Sequence, residues 1–318
     1  MGITSTLKES KLFLFCKHLR NAFMLYQKND PLRLAGATAF FANFAIPPIL
    51  LILIRLFGFF VDRRFLASQL FDRISQILIP SSTNQIRETL RNIRGVDHNW
   101  WATVLTFVFF IFVATTLFNV IKNSVEQIWN IGQNDKQGFL FTLKIRGRSM
   151  IIILLAGILF FVGLVTDSVQ AFVGTYLHSS APNFGKYLLW ALNQLIFILI
   201  VTIWFTILFR FLTNARPKWK TAFQGGLLTG ILFNLGKYVL RIMLPLSNIE
   251  NIYGASGSIV LVMLFVFYSS LIFYFGACFI KIISEQQQLN IRPIKGAYTY
   301  ELKEVTQIIE KGDDLEQS

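Results

Sequence analysis

Six long apolar stretches run through this chain, at about 34–61, 100–121, 149–177, 186–211, 222–244 and 255–283. They constrain its fold more than any other feature. Each holds roughly 22–30 residues, enough at about 1.5 Å per residue to cross a hydrocarbon core of about 30 Å. The expected fold class is all-α: a polytopic membrane protein with six transmembrane helices. Composition agrees, since 54% of the 318 residues are hydrophobic and only 15% are charged.

Outside the spans the pattern changes. In residues 1–30 the apolar positions Leu12, Phe15, Leu19, Phe23 and Tyr26 recur at steps of three and four among Lys8, Lys11, Lys17, Arg20 and Lys28. That is a basic amphipathic helix suited to the membrane surface. Asp30 and Pro31 mark the next helix start, as N-cap and first helical residue. Between the first two spans lie two short amphipathic helices, Arg63 to Ile79 and Gln85 to Ile93, expected outside the lipid. The organisation is therefore a helix over 1–30, a membrane domain over 31–285 and a polar tail over 286–318.

Charge sets the expected orientation. Six spans divide the extramembrane Lys and Arg into 20 on the side of both termini and six opposite, all between Arg63 and Arg94. Basic residues collect in cytoplasmic loops, so both termini are expected on the cytoplasmic side. This also explains the net charge of +13 without nucleic acid. No cleavable signal peptide is expected. Cys16 and Cys278 form no metal or disulfide spacing, and His18, His98 and His178 are scattered. No metal, cofactor or catalytic residue is assigned, and no Ser/His/Asp, P-loop or HExxH pattern is present.

Ionisable groups at span ends are the functional candidates, because charge in a membrane is costly unless paired or wet. Arg55, Lys186, Lys237 and Arg241 all fall toward the outer leaflet, with Asp167 as the acid expected to pair with Arg55 or Arg241. Arg87, Arg91 and Arg94 share one face of an external helix. Together they suit the headgroup of an anionic phospholipid or glycolipid. The plainer alternative is snorkelling side chains and a solvated helix face. Pro47 and Pro48 remove two backbone donors within the first span and are the candidate hinge. Gly226 and Gly230 form a close-packing step, and Gly254 and Gly276 punctuate the last span. Asn119, Asn123 and Glu126 step along one face of the second span, a pattern read as interhelical hydrogen bonding.

Four segments carry a family resemblance. They are Leu34 to Phe41 followed by Pro47-Pro48, Glu126 to Asn130, Gln224-Gly225-Gly226, and Tyr253 to Ala277 with its Tyr-Gly-Ala opening and Gly-Ala close. In order and spacing the chain resembles the YihY/BrkB family of bacterial inner-membrane proteins over about residues 30–285. Two positions depart from that pattern: Cys278 stands where the family often has Glu, and Phe40-Phe41 where it often has Tyr-Tyr. The resemblance implies an envelope protein and a lipid transporter.

The leading expectation is thus a transporter or flippase of an anionic amphiphile, with membrane lipids as partners and a homo-oligomer left open. The alternative is an envelope scaffold or assembly factor that transports nothing. A membrane-bound hydrolase or ribonuclease ranks third, because catalytic groups are sparse.

Overall fold

The computed structural model describes residues 11–58, 62, 67–69, 100–133, 147, 151, 154–155, 158, 162, 182–246, 257–294 and 296–302. Six helices dominate these residues: α1 Lys11–Lys28, α2 Pro31–Phe57, α3 Trp100–Trp129, α4 Pro182–Phe211, α5 Trp219–Leu246 and α6 Gly257–Gln286. Three stretches among them, Pro31–Leu50, Gln194–Phe211 and Ile259–Gln286, are long and apolar enough to cross a membrane. The expected third span and the two short helices between 63 and 93 fall almost entirely outside the described residues.

The local signals at the start of the chain act in a modified form. Asn29 ends α1, with its Nδ2 donating to the Leu25 carbonyl at 2.9 Å. Asp30 does occupy the N-cap of α2, but at φ 48°, ψ 62° it sits in the left-handed region and makes no side-chain cap bond. Its carboxylate lies 3.8 Å from Arg33 Nε instead. The reason is the reversal between two helices only two residues apart: a left-handed residue turns the chain and so cannot aim its side chain at the first N–H groups. Gly58 closes α2, its N–H bonded to the Ile54 carbonyl at 3.0 Å.

Helix α6 is the centre of the bundle and packs against α1, α2, α3 and α5. Its Tyr274, Ala277, Cys278, Phe279 and Ile280 are almost completely buried, on every side of the helix. A helix apolar all round must be enclosed. Phe209 of α4 stacks on Phe273 at 4.7 Å between centroids, and Phe205 lies 5.9 Å from the same ring. Helix α1 docks on α6 through Tyr26 against Phe275 and Phe15 against Phe279. Burial there, followed by the nearby Cys278, pushes the Tyr26 phenol up to about 12.

Helix α5 shows the polarity of the packing. Its exposed stripe is Phe223, Leu227, Ile231, Leu235, Val239 and Ile242, while its buried face carries Gly225, Gly226, Thr229 and Gly230. Large apolar groups face outward and small or hydroxyl-bearing groups face the neighbouring helices. That inversion suits lipid, where association comes from close backbone approach rather than from hiding hydrocarbon.

Four short strands were not anticipated by an all-α reading. Two antiparallel ladders pair β1 Ile131–Gln133 with β4 Ala297–Thr299, and β2 Ala215–Arg216 with β3 Arg292–Pro293. The first half of the polar tail thus folds back onto the loops after α3 and α4. We call this the basal end. Gly132 allows the first ladder to close, because a Cβ there would run into the Tyr298 ring.

Candidate functional site

Two polar regions stand out in this apolar bundle. The first is at the basal end and is centred on Glu126, one turn before α3 stops. Only 4% of Glu126 is exposed. A carboxylate at a helix C-terminus faces the negative end of the helix dipole, so it needs compensation. It finds three sources. Oε1 accepts the Asn214 backbone N–H at 2.7 Å, Oε2 accepts Gln133 Nε2 at 2.9 Å, and buried Lys122 Nζ lies 3.8 Å from Oε2. The helical spacing reads Glu126 as an interhelical hydrogen-bonding group; its partners instead lie in the α4–α5 loop, in β1 and on its own helix. Asn123, on the same predicted face, is exposed.

The end of α3 is also capped from α6. Lys281 Nζ donates to the Ile128 carbonyl at 3.0 Å, and Trp129 Nε1 donates to the Ala277 carbonyl at 2.9 Å. A cation on the last carbonyls opposes the dipole favourably. Asn130 then adopts φ 55°, and its carbonyl accepts the Tyr300 N–H at 3.0 Å. Deeper in, the Tyr274 and Thr38 hydroxyls meet at 2.6 Å, and Thr38 also donates to the Leu34 carbonyl. Thr38 has one proton, so Tyr274 is the donor in their shared bond. The sequence alone marked neither Lys122, Gln133, Asn214 nor Lys281. Their contacts cross between segments that are far apart in the chain and carry no local pattern.

The second region is the α4–α5 seam. Gly226 faces the Thr202 and Thr206 backbone, where a Cβ would sit 2.9 Å from the Thr202 carbonyl oxygen. Gly230 faces the Thr202 hydroxyl, and Gly276 of α6 faces the Thr229 hydroxyl. Gly226 and Gly230 thus let α5 lie close against α4, and Gly276 lets α6 lie close against α5. Two turns beyond Gly230, Lys237 Nζ lies 3.8 Å from the Phe197 ring centroid and 5.4 Å from that of Tyr238. Gln194 Oε1 of α4 and Asn234 Oδ1 of α5 are buried acceptors with no hydrogen-bond partner among the described residues. By the antiparallel register that Gly226 and Gly230 set against Thr206 and Thr202, Gln194 and Asn234 fall about one helical turn apart along the seam.

The other candidates are less accessible. Arg55, Lys186 and Arg241 lie on α2, α4 and α5, but their side chains are outside the described residues. Arg87, Arg91, Arg94, Asp167 and Gly254 are outside them altogether, as is any pairing of Asp167 with Arg55 or Arg241. Helix α2 runs unbroken through Pro47 and Pro48, with no unwound segment. The two prolines leave the carbonyls of Asn43 and Phe44 without their usual helical donors.

Apolar helices with lipid-suited outward faces and small residues at their contacts define a multi-helix membrane protein. The sequence model of the virulence factor BrkB family matches residues 22–297, and the chain belongs to that family. Its relatives include a UPF0761 membrane protein of Mannheimia succiniciproducens, 23% identical over 85% of this chain and 92% of its own length. Another, from Haemophilus influenzae, is 23% identical over 81% of this chain and 93% of its own. A longer one, from Saccharophagus degradans, is 23% identical over 86% of this chain, which spans 61% of it. No solved structure matches the chain. The segments behind the sequence resemblance meet in space: Thr38 touches Tyr274, Trp129 bonds Ala277, and Gly225 faces the Gly276 backbone.

Proposed function

We propose that this protein is a non-enzymatic transporter or flippase of an anionic amphiphile, a phospholipid or glycolipid, in the bacterial inner membrane. In this reading it crosses the membrane six times with both termini in the cytoplasm, which makes the basal end cytoplasmic. It serves envelope biogenesis, needs no cofactor and handles no nucleic acid. The observation that carries the proposal is the α4–α5 seam away from the basal end. There a lysine lies over an aromatic ring on the same stretch of α4 and α5 as two buried acceptors that lack donors among the described residues. An anionic headgroup bearing hydroxyl or amino donors would satisfy both: Lys237 takes the charge, while Gln194 and Asn234 accept the donors. Arg55, Lys186 and Arg241 would extend the positive field along the same leaflet.

The test is reconstitution in vesicles carrying fluorescent phosphatidylglycerol, with leaflet exchange read by dithionite quenching. Wild-type protein should accelerate exchange, and Lys237→Gln should slow it severalfold at equal protein level. Exchange no faster than in empty vesicles would reject the proposal. Reporter fusions after Asn214 and at the C-terminus should read cytoplasmic, and those near Ser82 and Ser180 external.

A second reading is a scaffold. The cross-linked basal end, with its tail ladders and buried Glu126, favours a rigid platform. Rescue of envelope phenotypes by Lys237→Gln would favour it over transport.

A further inference from the structure

The β2–β3 ladder places two arginines directly opposite each other. Arg216 and Arg292 are register partners in an antiparallel pair, and both are exposed. The bond from the Ile294 N–H to the Asn214 carbonyl at 2.9 Å sets this register. Side chains of such partners stand on the same face, with Cα atoms about 5.5 Å apart in a hydrogen-bonded pair. Like charges so placed repel. Among the described residues, no carboxylate lies within ion-pair distance of either guanidinium.

The surroundings add positive charge. Lys218 is exposed in the same loop and Lys220 in the first turn of α5, which contains no acid. Arg210 is already engaged, donating to the Pro217 carbonyl and lying 5.2 Å over the Trp219 ring. Trp219 itself is 55% exposed where α5 begins, the position of an interfacial aromatic anchor. A topological preference for basic loops accounts for the number of these charges. It gives no reason to hold two arginines side by side on a two-residue ladder.

We propose that Arg216 and Arg292, supported by Lys218 and Lys220, form a basal site for a phosphate group, that of a membrane lipid headgroup. Two adjacent guanidiniums offer a double fork to phosphate oxygens, and the anion turns their repulsion into shared attraction. The exposed Trp219 puts the site at the depth of headgroups. The site is distinct from the α4–α5 seam and does not depend on transport.

The test uses the full chain in a neutral detergent, with thermal unfolding and equilibrium binding as readouts. The probes are dioctanoyl phosphatidic acid, inorganic phosphate and a short DNA duplex. Phosphatidic acid should raise the melting temperature of the wild type. Arg216→Gln/Arg292→Gln should bind it at least about tenfold more weakly, since charged hydrogen bonds are lost. Without lipid, that variant should melt at or above the wild type, because the repulsion is gone. The Arg216→Lys/Arg292→Lys variant, which keeps charge but not the fork, should bind with intermediate strength. Inorganic phosphate binding as tightly as the lipid would support the site and make free anion its ligand. Unchanged lipid affinity in the glutamine variant would overturn the proposal. So would tighter binding of the duplex, lost with the same two arginines.

Discussion

The Glu126 carboxylate accepts the backbone N–H of Asn214 at 2.7 Å, across 88 positions of sequence. That bond ties the end of α3 to the loop joining α4 and α5. Lys122 and Gln133 address the other carboxylate oxygen. Three separate segments therefore converge on one buried side chain.

Glu126→Gln should destabilise the protein, because it keeps an acceptor for Asn214 but removes the negative charge opposite buried Lys122. Breaking a buried pair costs on the order of 3 kcal/mol. Lys122→Met should also destabilise, and the double variant should lose less than the sum of the two. Thermal unfolding of all four proteins checks this. Strict additivity would mean that the 3.8 Å approach carries no coupling.

The two seam glycines should differ in how they can be rescued. Gly230→Ala meets mainly the Thr202 hydroxyl, whereas Gly226→Ala also meets the backbone of Thr202 and Thr206. Each should cost about 1–3 kcal/mol through overpacking. Adding Thr202→Ala should recover most of the Gly230→Ala loss. Adding Thr206→Ala should recover little of the Gly226→Ala loss, because main chain cannot be trimmed. Equal rescue at both sites would contradict the seam geometry.

Truncation should separate the two parts of the tail. Ending the chain after Leu302 retains both ladders, and melting should stay close to wild type. Ending it after Gln288 removes β3, β4 and the bond to Asn130. That form should show faster amide exchange at 131–133 and 213–216, read by hydrogen-exchange mass spectrometry. Unchanged protection there would show that the loops hold without the tail.

Pro47→Ala/Pro48→Ala should raise stability while lowering lipid exchange. It restores donors to the Asn43 and Phe44 carbonyls, and each proline in a helix interior costs about 3 kcal/mol relative to alanine. Membrane levels should be normal or higher. Full exchange activity in the double variant would remove the prolines from any role in movement.

Much of the bundle was legible from local pattern. The start of α2 at Pro31, the start of α3 at Trp100 and the amphipathic α1 all follow from residue type, periodicity and length. These are properties of one helix and its medium, and each is written in a short window of sequence. The Asp30 cap followed this logic only in position, since the tight α1–α2 reversal imposed a left-handed backbone on it.

What only the tertiary structure decided is partnership. The helical spacing marks Glu126 as an interhelical hydrogen-bonding residue, but its partners at 122, 133 and 214 come from its own helix, a strand and a distant loop. The polar tail gave no strand pattern over 292–299, because two- and three-residue ladders are too short for period-two alternation to register. Arg216 and Arg292 are 76 positions apart and unremarkable singly. A hydrophobic period reports the environment of one segment against its solvent. A cross-segment bond depends on which two segments the closed bundle brings together, and no local window contains that information.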